Sequence, residues 1–240
     1  MPGKRVNMNP VYDVVKGLID DVKNTQEEAI EAAAQACAKA IEAGGILQAF
    51  GSGHSEAGAM EVAHRAGGFI PTKKIIEPAR GAYEGIEGVG TSFMKKVDVR
   101  ENDVVFVISN SGRNPLPIEI ALGAKAKGAV VIAITALEAS KKLSSKHSCG
   151  KNLYQVADIV LDNCVPEGDC GCEVEGYDSK ICGMSMITTS VIVQAVTYRV
   201  AEILISHGIT PPMYKSQNVD GGREFNEALE EKYLDRLRRV

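Results

Sequence analysis

Short unbroken runs of aliphatic residues alternate along this chain with longer amphipathic stretches. "VVFVI" at 104–108 and "VVIAI" at 130–134 are continuous apolar runs, the pattern of strands buried on both faces. Residues 46–50 form a third run between glycines, and "ADIVLDN" supplies a last one near 159–161. "FIPTKKII" at 69–76 also reads as extended, with Pro71 marking an irregular or edge position. Helical patterns cover 11–22, 29–43, 55–66, 114–127 and about 180–207, and a charged helix with its own apolar stripe covers 223–240. Thr25 and Glu28 have the spacing of a capping box for the second helix, Pro115 suits a first helical position, and Gly44, Gly67, Gly128 and Gly208 stand where helices stop.

Strands that alternate with helices predict a parallel sheet covered on both faces. About five strands fit, which points to a doubly wound, flavodoxin-like α/β fold. The chain reads as one domain over 1–240: N-terminal helices to 44, an α/β core over 45–208, and a C-terminal tail with a helix over 209–240. Composition adds exclusions. With 45% hydrophobic residues, 24% charged residues and a net charge of −4, the chain is an ordinary globular one and carries no basic footprint for nucleic acid. "MPGKRVNMNPVYDVV" has no continuous apolar core of the kind an export signal needs, so a cytoplasmic protein is expected. The segment 181–198 is uncharged, but its six hydroxyl and amide residues mark a core or interface helix rather than a membrane span. The six cysteines are expected as free thiols, since the spacing of Cys164, Cys170, Cys172 and Cys182 matches no paired metal knuckle. No metal or cofactor is expected.

Two loops carry the candidate chemistry. "FGSGHS" follows the first strand and "ISNSGRNP" follows the third, each leading into a helix. In a doubly wound sheet, ligands collect at the carboxyl ends of such strands. Ser52, Gly53 and Ser55 from one loop and Ser109, Asn110 and Ser111 from the other then converge as an anion cradle of hydroxyls and backbone amides, without a Walker lysine. The first loop is also a near miss to a serine-nucleophile elbow, with Asp158 or Asp162 and His207 in triad order. That hydrolase reading is set aside: Ala57 replaces the last glycine, the elbow follows the first strand, and the second serine loop stays unexplained.

The stretches "FGSGHS", "RAGG", "ISNSGRNPLPIE", "SSKHSCGKNLY", "ADIVLDNC" and "NVDGG" resemble the SIS (sugar isomerase) domain family, and within it a bacterial group related to phosphoheptose isomerases. The likeness runs from about residue 10 into the tail. It implies a three-layer α/β/α sandwich, a sugar-phosphate ligand held by Ser52, Ser55, Ser109, Ser111 and Ser185, and a homodimer or homotetramer. It also implies a sugar-phosphate isomerase that moves a proton between adjacent carbons through an enediol, which needs a base near neutral pH.

Glu61, six residues after Ser55, is the first candidate for that base, although with Arg65 at i+4 it also suits a plain helix ion pair. The phosphoheptose isomerases carry His and Glu where this chain has Glu61 and Arg65. Their zinc site therefore does not carry over, and Arg65 is expected to contact substrate. His54 in the loop and His207 at the end of the long helix are candidate ring openers, the latter as SIS isomerases often borrow a histidine from a neighbouring subunit. His64 and His147 have no assigned role. Glu77, Glu84 and Glu87 keep open a lyase reading, by likeness to a related etherase branch, and a non-catalytic phosphosugar sensor is the third alternative.

Overall fold

The computed structural model describes residues 9–238. Its elements in chain order are α1 (Asn9–Thr25), α2 (Glu27–Glu42), β1 (Leu47–Gly51), α3 (Glu56–Val62), β2 (Thr72–Lys74), α4 (Val89–Met94), β3 (Val104–Ile108) and α5 (Pro115–Ala126). There follow β4 (Val130–Thr135), α6 (Leu137–Lys141), α7 (Leu153–Val156), β5 (Ile159–Asp162), β6 (Cys170–Cys172), β7 (Ile181–Gly183), α8 (Ser185–Ser206), α9 (Gly222–Glu230) and α10 (Leu234–Leu237).

Five strands form one parallel sheet in the order β2-β1-β3-β4-β5, the doubly wound order expected from the alternation. Side chains alternate between its two faces. Val104, Phe106, Ile108, Ile132 and Ile134 face a core completed by α2, α3 and α8, while Val105, Val107, Val131 and Ala133 face one completed by α4, α5 and α7. Ile132 and Ile134 are fully buried, and burial of such a side chain contributes roughly 1.5–3 kcal/mol. Small residues of α2 (Ala33, Ala34, Cys37, Ala38) let that helix pack closely against the sheet and α8.

The helix over 180–207 begins later than its apolar pattern suggests. Residues 170–183 form an antiparallel hairpin of β6 and β7, and α8 starts only at Ser185. This helix is long and apolar enough to cross a membrane, yet its buried residues, among them Ile192, Val196 and Val200, belong to the core it shares with α2 and α3. At the second helix, Thr25 ends α1 and turns its hydroxyl back to the Asp21 carbonyl at 2.7 Å, so no capping box forms with Glu28. Helix α3 stops at Val62 rather than 66, because Ala63 is extended and His64 takes a left-handed φ of 58°. The tail helix is broken by a short turn into α9 and α10, and residues 239–240 lie outside the described residues. All six cysteines stand as free thiols.

Candidate functional site

The chain leaves β1 for β2 on one side and then crosses to β3 on the other, so a crevice opens above the carboxyl ends of β1 and β3. The two strands are in register with Gly51 opposite Ile108, which places Ser52 and Ser109 on neighbouring strand exits. Gly51 is required by close approach: a Cβ there would sit 2.1 Å from the Ser55 carbonyl oxygen, as the chain folds back into a tight turn at Gly53–Ser55. The Ser55 amide donates to the Ser52 carbonyl at 3.1 Å and closes that turn.

The second loop is braced from below. The Ser109 hydroxyl accepts the Gly112 amide at 3.3 Å, and the Asn110 carbonyl accepts both the Ala136 amide and the Thr135 hydroxyl at 3.0 Å. Asn163, at the end of β5, donates to the Asn110 side chain at 3.0 Å, and the Ser140 hydroxyl donates to the Ser111 carbonyl at 2.8 Å. Ser109 is thus committed to its own loop. Among the described residues, no protein group takes the hydroxyls of Ser52, Ser55 or Ser111, which are half-buried. These hydroxyls are half-buried and open to the crevice, so each is free to donate to a group that enters it.

Charge comes from residues that sequence reasoning missed. Glu56 Oε1 accepts from Lys74 Nζ at 2.7 Å and from Arg80 Nη2 at 2.6 Å, and these contacts, Arg80 first, hold its carboxyl below the usual range. The turn that carries Arg80 lies directly on the first loop: a Cβ on Gly81 (φ 84°) would be 2.9 Å from Ser52 Cβ. Glu77, buried beneath that turn, accepts the amides of Ala79 at 2.8 Å and Gly81 at 3.1 Å, which makes it a capping group for the turn. The only signal in the sequence was the long glycine-rich loop itself, which shows a functional segment without showing which cation returns to Ser52.

The remaining candidates separate. Glu61 receives Arg65 Nη1 and, at 2.6 Å, Gln194 Nε2 from α8, both on Oε1, while no protein donor meets Oε2 among the described residues. His54 is exposed on the first turn, beside Ser55. His207 is elsewhere: its Nδ1 lies 2.6 Å from Glu42 Oε1 at the end of α2, beside the start of β1 and so at the opposite edge of the sheet from Ser55. That separation rules out a Ser55–His207 triad within one chain. Ser185 opens α8, and its hydroxyl and amide are both taken by Asp169, at 2.9 and 2.7 Å. An internal carboxylate therefore already stands where Ser185 was expected to meet phosphate. Glu87 is turned toward Ser148, whose amide and hydroxyl hold its carboxyl below the ordinary range. The Glu84 carbonyl accepts the Leu116 amide at 3.1 Å. Among the described residues, no three His, Cys, Asp or Glu side chains are grouped to share a metal ion.

With this geometry in place, its relatives are informative. The SIS domain family model matches residues 12–136. A UPF0309 protein of Listeria monocytogenes is 46% identical over 226 residues, covering 94% of this chain and 97% of its own length. Among solved structures, a phosphoheptose isomerase from Francisella tularensis superposes with a TM-score of 0.57 at 18% identity, over 81% of this chain and 96% of that one. The Vibrio vulnificus NanR protein, complexed with ManNAc-6P, superposes with a TM-score of 0.52 at 12% identity, over 98% of this chain and 71% of that one. At these identities the structural matches establish the shared fold alone. The extent of the family match and the near full-length Listeria relative go further: the chain belongs to the SIS domain family.

Proposed function

We propose that the crevice between loops 52–55 and 109–112 binds a phosphorylated sugar, and that the protein interconverts its aldose and ketose forms. One observation carries the reading: three serine hydroxyls left without protein partners at adjoining strand exits, beside two cations that share a single carboxylate. Ser52, Ser55 and Ser111 donate to the phosphate oxygens, with Gly53 and Asn110 shaping the loops and Ser109 bracing the second. Arg80 and Lys74 supply the charge that hydroxyls lack. Ser185 is left out, because Asp169 holds it. The ligand named for NanR and the activity named for the Francisella enzyme support a sugar phosphate in this fold.

Along α3, Glu61 lies about 9 Å below Ser55 by helical rise, a distance comparable with an extended five- or six-carbon sugar phosphate. Arg65 and Gln194 anchor Oε1 and leave Oε2 to take the proton from the carbon beside the carbonyl. The enediol forms, and the same carboxylate returns the proton to the neighbouring carbon. His54 is placed to assist ring opening.

A thermal-shift screen against sugar phosphates tests the binding half. The matching ligand raises the melting temperature, and the shift grows with the logarithm of its excess over its dissociation constant. The Ser55→Ala, Ser111→Ala double variant should lose affinity roughly 100-fold or more, since a hydrogen bond to a charged group contributes about 1.5–3 kcal/mol. Unchanged affinity would falsify the cradle. A bound sugar phosphate that is never converted makes the protein a sensor instead.

The same reading includes a homodimer. The outer face of α8 exposes Ile187, Tyr198 and Ile205, and α3 adds Met60, an apolar surface that a second copy would cover. Sedimentation of wild type should give a dimer or tetramer and that of Tyr198→Asp a smaller species; a monomeric wild type rejects this assignment.

A further inference from the structure

A cavity of about 400 Å³ lies apart from the serine loops, bounded by His64, Arg65, Tyr214, Ser216, Asn218 and Glu230 among others. It sits by the N-terminal edge of the sheet. The His64 amide donates to the Thr72 hydroxyl at 3.3 Å, and Thr72 opens β2 opposite Leu47, the first residue of β1. Two sequence markers left unused by the crevice both reach this cavity: "RAGG" through Arg65 and Ala66 and "NVDGG" through Asn218. The paired amides of Gly67 and Tyr214, each 2.9 Å from its acceptor carbonyl, tie the first marker to the chain just ahead of the second. His64 holds a left-handed backbone, which is unfavourable for a residue other than glycine and persists only where surrounding contacts impose it.

The hydrogen bonds fix where the imidazole proton sits. Tyr214 Oη has one proton and donates it to Glu230 Oε1 at 2.7 Å, a carboxylate that can only accept. The same Oη lies 3.3 Å from His64 Nδ1, so the ring must be the donor there. Nδ1 carries the hydrogen, the less common neutral form, and Nε2 keeps a bare lone pair. Burial holds the His64 pKa below its ordinary value; Glu230 opposes this, and Lys73 and Lys74 add to it. The phenol stays protonated, because burial and Glu230 both push its pKa up. The tail wall is rigid: buried Asn226 accepts the Lys215 amide at 2.8 Å and donates to its carbonyl at 2.9 Å. The Lys215 ammonium lies over the Phe225 ring at 3.9 Å.

We propose that this cavity is a second small-molecule site, for a polyhydroxylated anion of the sugar-acid class, in which His64 Nε2 accepts a ligand hydroxyl. The Ser216 hydroxyl, which accepts the Asn218 amide at 3.2 Å, can donate to a polyol, and the Asn218 side chain supplies a further partner. Arg65 and Lys215 outnumber Glu230 in the lining, which favours an anion over an amine. The lining includes neither serine loop, though it shares Arg65 with the Glu61 ion pair.

The probe is gluconate, titrated into 15N-labelled protein while the His64 ring nitrogens are followed by NMR. The free protein should show the Nδ1–H form, and gluconate should move the Nε2 resonance. That response should survive in the Ser55→Ala, Ser111→Ala variant. Tyr214→Phe should return the ring to the Nε2–H form and weaken gluconate about tenfold, the loss of one hydrogen-bond acceptor. Should that variant fail to fold, Glu230→Leu serves the same purpose, because it frees the Tyr214 proton to meet Nδ1. An Nε2–H ring in the wild type, or a His64 signal unmoved by gluconate, overturns the site. A response that vanishes with the two serines places gluconate in the crevice and overturns it equally.

Discussion

At the N-terminal edge of the sheet, buried Asp103 alone accepts four hydrogen bonds: from the Ile46 amide at 2.9 Å, Gln48 Nε2 at 3.0 Å, the Arg100 amide at 2.8 Å and Arg236 Nη2 at 2.6 Å. At the carboxyl edge, Ser52, Ser55 and Ser111 keep their hydroxyls open. One edge uses its polar groups to fasten the tail onto the strands, and the other withholds them. Binding sites need the second arrangement, since a hydroxyl already bonded within the protein offers little to a ligand. The Asp103 clasp and the serine loops should therefore fail differently when mutated, the first in stability and the second in ligand affinity.

The largest effect is expected from Asp103→Ala. It removes the nearer of two carboxylates that meet buried Arg236, leaving Asp98 Oδ2 at 3.4 Å, and takes the acceptor from two backbone amides. Each buried donor left without an acceptor costs about 1–3 kcal/mol. Urea unfolding should show that loss as a lower midpoint with little change in slope. A shift below about 1 kcal/mol would mean the clasp is solvated and the contrast between the edges is overstated.

Glu61→Gln is the next test, and it separates chemistry from binding. With Oε1 still able to meet Arg65 and Gln194, the variant should fold and bind its sugar phosphate as wild type does. Turnover should fall by about 10²- to 10⁴-fold, the usual contribution of a positioned base. Full activity on the true substrate would move the base elsewhere, with His54, on the turn beside Ser55, the next candidate.

The sheet was legible because parallel strands buried on both faces are written as continuous aliphatic runs; β3, β4 and β5 follow that form, and β1, with Gln48 among Leu47, Ala49 and Phe50, was marked by the glycines around it. The hairpin of β6 and β7 was not. "CGC" and "ICG" carry no alternation, and β7 is exposed, so nothing distinguished them from the apolar run of α8. The two serine loops could be found from their position after strands. Which hydroxyls remain open could not: Asp169 reaches Ser185 across sixteen positions, and Arg80 reaches Glu56 across twenty-four. Such pairings depend on where loops return in space, which no local pattern encodes. His64 has no role legible in the sequence because its backbone conformation, and the tail that imposes it, are both set by long-range contacts.

His64 also gives the smallest and sharpest test of the contrast, as a ring at the tethered edge whose Nδ1 alone is engaged. Its folded pKa lies below that of the unfolded chain, near 6.5, chiefly through burial. Above that pH the ring is neutral in both states and contributes no pH dependence. As pH falls below it, the unfolded chain binds the proton first, so stability declines from about pH 6.5 down toward the lower folded value. Part of the ring is exposed, so the loss between pH 7 and 5.5 should be small, about half a kcal/mol once solvent screening is allowed for. Other titrating groups contribute to the same curve, but they cancel in the difference between wild type and His64→Gln. Urea unfolding of both proteins at the two pH values should give a shallower decline for the variant. Parallel declines would show that the ring titrates as freely in the folded protein as in the unfolded chain, and the tail would then shield it far less than its contacts imply.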